Sequence, residues 1–364
     1  MTRLGVEAAL VDGALLRGDV EIADGRIAAV GVNGQPGKGI ATPGFVDLQV
    51  NGFGGVDFFS ADGAAYERAG EQLLRTGVTA YQPTFITSPE EELEAALHEL
   101  PQEGDRAPHI LGAHLEGPFL APQRLGSHPM AARRDPDVSL LERLLAAGRV
   151  SHVTLAPELP GALELVDLLR SRGVTVACGH SDATADEARA AFRRGARTVT
   201  HLFNAMRPFA AREPGLAGAA LADPNVPVQV ILDGVHLADD TAKLVWAVAS
   251  GRVALVTDAV AAAGVGDGSY RLGSVEVYVK DGIVRRDGGV LAGSTVTMIE
   301  SVRNLVQLGA SLEAALSAAT EVPARIACRD DVGHLQPGAR ADVVVLDDNV
   351  EIVRVLAGGA DALG

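Results

Sequence analysis

Eight short apolar runs rich in β-branched residues recur through the middle of this 364-residue chain, separated by stretches whose apolar residues repeat at helical spacing. The runs are FVDLQV (45–50), GVTAYQPT (77–84), HILGAHLE (109–116), SHVTLAPE (151–158), GVTVACGH (173–180), ARTVTHL (196–202), VPVQVILDG (226–234) and RVALVTDA (252–259). Between them lie AAYERAGEQLLRTG, LLERLLAAG, ALELVDLLRSRG, ADEARAAFRRG and AKLVWAVASG, several closed by the glycine that favours a helix end. Strands this uniformly apolar need cover on both faces, so the alternation demands a parallel sheet wrapped by helices. Eight such units predict an α/β fold, a (β/α)8 TIM-like barrel. A hairpin excursion is expected in SVEVYVKDGIVRRDGGVLAG, with the final helix beginning near Ser294.

The ends of the chain have a different pattern. Residues 4–31 alternate in short segments punctuated by Asp-Gly and Gly, which reads as hairpins, and a similar signature returns in GARADVVVLDDN and EIVRVLAGG. Neither end has enough strands for a stable sheet alone. Residues 1–43 and 333–364 are therefore expected to form one small β-sandwich domain, leaving 44–332 for the barrel.

Lys and Arg total 31 against 47 Asp and Glu, a net charge of −16 that disfavours nucleic acid and anionic membranes as partners. An anionic substrate needs its own local cation in such a protein. Cys178 and Cys328 are too few for a disulfide framework and form no zinc-type pair, so buried free thiols in a reducing cytoplasm are expected. Acidic residues interrupt the apolar runs of the first 25 residues, which excludes a signal peptide or membrane span there.

In a barrel of this kind the C-terminal strand ends form the active-site rim. Here they carry Glu116, His180, His201 and Asp258, with His236 just beyond the seventh run. Any one histidine in such a position is ordinarily a hydrogen-bonded structural residue, but five chemically competent groups on one rim converge, and burying them separately is costly. One carboxylate and two imidazoles, Glu116, His180 and His201, suit a divalent metal with an open position for water; zinc and iron both accept this set. Asp258 is the candidate for proton transfer, with a fourth ligand or a histidine-orienting group as its other readings. Glu158 and His114 are read as supporting groups outside the site.

The motifs HLEGPF, ACGHSDA, THLFNAM, REPGLAGA, LVTDA and LAGS, with the tail GHLQPGARADVVVLD, occur in an order that closely resembles the N-acetylglucosamine-6-phosphate deacetylase family of the amidohydrolase superfamily. The resemblance implies hydrolysis of the 2-acetamido group of the sugar phosphate, in amino-sugar metabolism, by a barrel with a split β-domain assembled as a homodimer. Matched residue by residue, it places the metal on Glu116, His180 and His201 and the acid/base on Asp258. It assigns His128, beside Ser127, to polarising the acetamide carbonyl. It gives Asn204, Ala205, Arg212, His236, Leu291, Ala292 and Gly293 to holding the substrate, with Arg212 serving the neighbouring subunit's site. Met298 and Ile299 are explained by helix packing.

Two alternatives are weaker. Two-metal amide hydrolases of the superfamily need a carboxylated lysine at the end of strand four, where this chain has APE, and Lys38, Lys243 and Lys280 lie elsewhere. A noncatalytic barrel would show gaps in the ligand set, and none is present. Strand one ends in Gln49-Val50-Asn51, where many amidohydrolases place His-x-His. The spacing and sidedness are kept, but amides are poor ligands for zinc or iron, so one tightly held ion is expected.

Overall fold

The computed structural model describes residues 1–33, 37–102 and 108–363. Eight parallel strands run in chain order: β1 (Phe45–Val50), β2 (Val78–Ile86), β3 (Ala113–Glu116), β4 (Val150–Leu155), β5 (Thr175–Cys178), β6 (Thr198–Val199), β7 (Val228–Val230) and β8 (Val253–Leu255). Each pairs with its chain neighbour from β1 through β8. The third run is not continuous: His109–Ile110 pairs with the start of β2, and Gly112, at φ 104°, breaks it before β3. Strand β2 extends past Thr84 to Ile86.

A helix follows every strand, and several are placed by local capping. In Gly63–Arg75 the Asp62 carboxylate caps the Ala65 amide at 2.8 Å, while Ala65, Ala69, Leu73 and their neighbours bury one face. Ala185–Arg194 opens on a Thr184/Glu187 capping box and ends on Gly195 in the left-handed region. The helix after β8 starts at Met298, where the Thr297/Glu300 capping box nucleates it, with Met298 and Ile299 buried in its first turn; it is not the final helix, since Leu312–Ala319 and Glu321–Ile326 follow and pack against β8 and β1. The expected hairpin is a three-stranded antiparallel sheet, Gly268–Leu272, Val275–Lys280 and Ile283–Arg286.

The two chain ends meet as expected. Val343–Leu346 pairs antiparallel with Ile40–Pro43, which pairs parallel with Ala8–Val11. A second sheet, Thr2–Arg3, Asp19–Ala23 and Arg26–Val32, packs over it through a core including Val20, Ile22, Ile27, Ala41 and Val345. Cys178 is buried and Cys328 is exposed, correcting the expectation of two buried thiols; both are free. Cys328 follows the short helix Glu321–Ile326 at the surface. Among the described residues no helix is long and apolar enough to cross a membrane.

The seam between β8 and β1 is closed by main-chain bonds, from the Asp258 amide to the Gln49 carbonyl oxygen at 2.9 Å and from the Asn51 and Gly52 amides to that of Ala259, and by a buried side chain. One bridge joins Val50 to Ala259, and the buried Asp47 carboxylate accepts from the Thr257 hydroxyl at 2.6 Å and from the Thr257 and Gln49 amides at 3.2 Å each. Burial pushes this carboxyl up to about 7, against those hydrogen bonds. Asp47→Ala strands three buried donors and is expected to cost about 2–4 kcal/mol in urea unfolding; a loss below about 1 kcal/mol would contradict the seam's role. The folded carboxyl titrates above its unfolded value of 3.8, so Asp47's contribution is greatest at low pH and declines as pH rises through about 7.

Candidate active site

At the C-terminal end of the barrel, Glu116, His180 and His201 bring one atom each to a common point. Glu116 Oε1 lies 3.1 Å from His180 Nε2 and 2.9 Å from His201 Nε2, and the two nitrogens are 3.1 Å apart. All three side chains are buried. His180 Nδ1 donates to the Arg124 carbonyl oxygen at 2.9 Å, so that nitrogen carries the proton and Nε2 turns a lone pair inward when the ring is neutral. His201 Nδ1 is buried without a hydrogen-bond partner. A tetrahedral ion at about 2.0–2.2 Å from its ligands separates them by roughly 3.3 Å, close to this spacing. The donor set and its convergence fit a divalent cation. Burial opposes the charge on Glu116, but the imidazoles of His128, His180 and His201 around it hold its carboxyl well below the usual range.

Asp258 faces the same space, 92% shielded from solvent at an exposure of 8%. Burial first, and the nearby Glu116 charge second, push its carboxyl up to about 7; His201, His236 and Asn51 pull the other way. Ordinary Asp is fully ionised at neutral pH, whereas a group near 7 can both take and return a proton there.

The amides of strand one act as donors. Gln49 Nε2 donates to Glu116 Oε1 at 3.0 Å, and Asn51 Nδ2 donates to Asp258 Oδ1 at 2.7 Å. An ionised carboxylate only accepts, so each amide turns its NH2 toward the acid, leaving its own oxygen buried and unpartnered. Donors aimed at the two acids orient them.

These groups line a cavity of about 230 Å3 together with Ser127, His128, Asn204, Ala205, His236, Leu291 and Gly293. His236 is held by Asp233, whose Oδ2 lies 2.7 Å from its Nδ1; burial opposes the charge on His236, but this partner shifts its titration upward. His180, His201, Ala205 and Asp258 all have positive φ, 47°, 29°, 50° and 49°, a concentration of backbone strain that persists where function requires it. Gly293, at φ 72°, passes so close to Asp258 that an added Cβ would lie 2.7 Å from the Asp258 carbonyl oxygen.

Two of the expected residues lie outside this lining. Ala292 is buried among Ile86, Val260 and Leu272, behind the lining that Leu291 and Gly293 share. Arg212 is exposed on the loop anchored by Glu213, which accepts from the Ala185 and Gly215 amides. No lysine or arginine is among the described residues that line the cavity.

Glu158 accepts from Ser181 Oγ at 2.7 Å and from the Asp182 amide, bracing the loop that carries His180. His114 stacks on His152 at 4.1 Å beneath the site, with Nδ1 against the Leu48 carbonyl and Nε2 against Thr154 Oγ1. Burial lowers His114 to about 4. Three groups that orient site residues went unread: Arg124 for His180, Asp233 for His236 and Thr87 for His128. Only Asp233 had a local signal, its i,i+3 spacing to His236.

The amidohydrolase family model matches residues 40–360. The chain is 37% identical to N-acetylgalactosamine-6-phosphate deacetylase of Escherichia coli O157:H7, covering 92% of each. It is 38% identical to the Mus musculus N-acetylglucosamine-6-phosphate deacetylase, covering 87% of this chain and 81% of the mouse protein. Among solved structures, a mutant N-acetyl-D-glucosamine-6-phosphate deacetylase from Mycobacterium smegmatis in complex with N-acetyl-D-glucosamine-6-phosphate superposes with a TM-score of 0.91. That protein is 37% identical, and the match covers 98% of this chain and 97% of the other.

Proposed function

The chain belongs to the amidohydrolase family, and we propose that it removes the N-acetyl group of N-acetylglucosamine 6-phosphate, giving acetate and glucosamine 6-phosphate. The observation that carries this reading is the pairing, in one cavity, of a convergent Glu-His-His set with a buried carboxylate poised near neutral pH. Mouse and mycobacterial relatives named for this activity support the substrate. The barrel is taken as residues 44–332 and the companion domain as 1–43 with 333–364. Two free cysteines support placing the protein in the cytoplasm.

Glu116, His180 and His201 would hold one divalent ion, zinc or iron, which would supply Lewis acidity toward the amide carbonyl and water activation. Gln49 fixes the Glu116 carboxylate through Oε1, and Asn51 holds Asp258. Asp258 takes the proton of the attacking water and returns it to the amide nitrogen as the C–N bond breaks. His128 donates to the carbonyl oxygen as negative charge develops there. Ser127, Asn204, Ala205, His236, Leu291 and Gly293 shape the pocket around the sugar.

A phosphate needs a cation, and this chain's own cavity offers no lysine or arginine among its described lining residues. We assign that role to Arg212 of a second copy in a homodimer. An apolar groove of about 770 Å3 beside the cavity supports such an interface: it shares His236 with the cavity and includes the exposed Phe209, Leu244 and Val248. Arg212→Ala is expected to lower kcat/KM for the phosphorylated sugar by about 10- to 100-fold, the worth of a charged hydrogen-bonded pair. Turnover of the unphosphorylated sugar should not change; equal losses on both would contradict phosphate recognition.

The E. coli relative favours a second reading, in which the C4 epimer N-acetylgalactosamine 6-phosphate is the preferred substrate. Acetate release from the two epimers and from unphosphorylated N-acetylglucosamine separates them. A higher kcat/KM on the gluco epimer supports the first reading, a higher value on the galacto epimer replaces it with the second, and release from neither overturns both.

A further inference from the structure

We infer that Thr87 is a positioning residue: its main-chain N–H and hydroxyl fix the His128 ring as the Nε2–H tautomer, so that a donor rather than a lone pair faces the reacting carbonyl. The inference rests on the amide-hydrolysis reading above and extends it to a residue that does not line the cavity.

Thr87 directly follows strand β2 and is fully buried. Its main-chain N–H donates to His128 Nδ1 at 3.2 Å, and its Oγ1 lies 2.9 Å from the same nitrogen. A main-chain N–H has no alternative to donating, so Nδ1 must present its lone pair, and the ring proton is left on Nε2. The opposite end of the ring agrees. His128 Nε2 lies 3.4 Å from Glu116 Oε2, a carboxylate that can only accept. The other tautomer could still give Nδ1–H to the Thr87 hydroxyl oxygen, but it would set that N–H against the Thr87 main-chain N–H and a lone pair against the Glu116 carboxylate. It would lose the main-chain donor at one end of a buried ring and the carboxylate at the other.

The hydroxyl reinforces the main-chain donor. Thr87 Oγ1 also packs 3.3 Å from the Glu116 carbonyl oxygen, setting the end of β2 against the end of β3, but its single proton goes to the nearer acceptor, Nδ1 at 2.9 Å. Room for it exists because residue 117 is glycine, at φ 93°; a Cβ there would lie 2.2 Å from Thr87 Oγ1. The same threonine therefore registers the metal-bearing strand end against the loop that delivers His128. A fixed donor aimed where charge develops needs no reorganisation during the reaction, which is where such groups are most effective.

The test combines spectroscopy and kinetics on zinc-loaded protein. Histidine-selective 15N NMR, with the His128 signals identified by their loss in His128→Gln, should show Nε2 protonated and Nδ1 unprotonated. Thr87→Val should lower kcat by about tenfold with KM changed less than about twofold and zinc content unchanged, as one of two donors to Nδ1 is lost. Thr87→Ser, which restores the hydroxyl, should recover most of the loss. A protonated Nδ1 in the wild type overturns the inference, as does a Thr87→Val enzyme with wild-type kcat or a loss that Thr87→Ser does not repair. If Thr87→Val loses zinc or fails to fold, the wild-type tautomer and the Thr87→Ser kinetics decide alone. A wild type that releases no acetate from either hexosamine phosphate, yet shows Nε2–H, overturns the functional reading and leaves the tautomer assignment standing.

Discussion

Asp258→Asn is expected to lower kcat by about 10²- to 10⁴-fold while leaving the bound metal in place. The substitution keeps the shape and the oxygen that accepts from Asn51 Nδ2 at 2.7 Å, so the local geometry survives. What is removed is the capacity to take a proton and return it. The same change should leave thermal stability of the metal-free protein equal or higher. Burial and the Glu116 charge hold the Asp258 carboxyl near 7 rather than 3.8, so its ionised form is disfavoured in the folded chain, and stability is lost as pH rises through about 7. An asparagine carries no such penalty, and the difference should grow between pH 5 and pH 8. In the working enzyme a cation beside Asp258 draws its titration down, so the acid limb of kcat/KM should fall between the ordinary 3.8 and about 7. Near-wild-type turnover by Asp258→Asn would remove the proton-transfer role.

Glu116→Ala is expected to abolish tight metal binding and lower turnover by roughly 10³-fold or more, since the Lewis-acid contribution is several kcal/mol and each 1.36 kcal/mol is tenfold. Glu116 carries the largest share because its Oε1 is the atom shared by His180, His201 and Gln49. Elemental analysis of the wild type should give about one ion per chain, as the Gln49 and Asn51 amides spend their NH2 groups on the two acids. Chelation should lower the melting temperature, because an ion that binds only the folded state stabilises it by mass action. Two tightly held ions, or a Glu116→Ala protein that retains its ion and its rate, would contradict this account of the centre.

Much of the site was legible because two simple periodicities meet at it. Period-two alternation places His114 and Glu116 on one side of β3, and the barrel rule sends every strand's C-terminal end to one rim. Glu116, His180, His201 and Asp258 could therefore be gathered before any geometry was known.

Other features had no local signature. The apolar run ends at Thr84, yet the strand continues to Ile86 and places Thr87 beside a histidine 41 positions away. The positive φ values of His180, His201 and Asp258 arise from tertiary closure, since no glycine or asparagine marks them. Ser127 and His128 sit in a loop without periodicity and were reached only through family resemblance. In the companion domain the hairpins were readable from their Asp-Gly turns and the meeting of the two ends from their shared pattern and incompleteness, but the pairing of Ile40–Pro43 with Val343–Leu346 spans some 300 residues and has no local signal.

The central claim, that this cavity hydrolyses the acetamide of a hexosamine 6-phosphate, is tested most directly by incubating zinc-loaded protein with N-acetylglucosamine 6-phosphate. Acetate and primary amine are then measured together by proton NMR and amine titration. The account expects both products in equal amounts, with the rate falling by about 10²-fold or more in Asp258→Asn. No acetate from the intact, zinc-loaded wild type, or acetate released equally fast by Asp258→Asn, would contradict it.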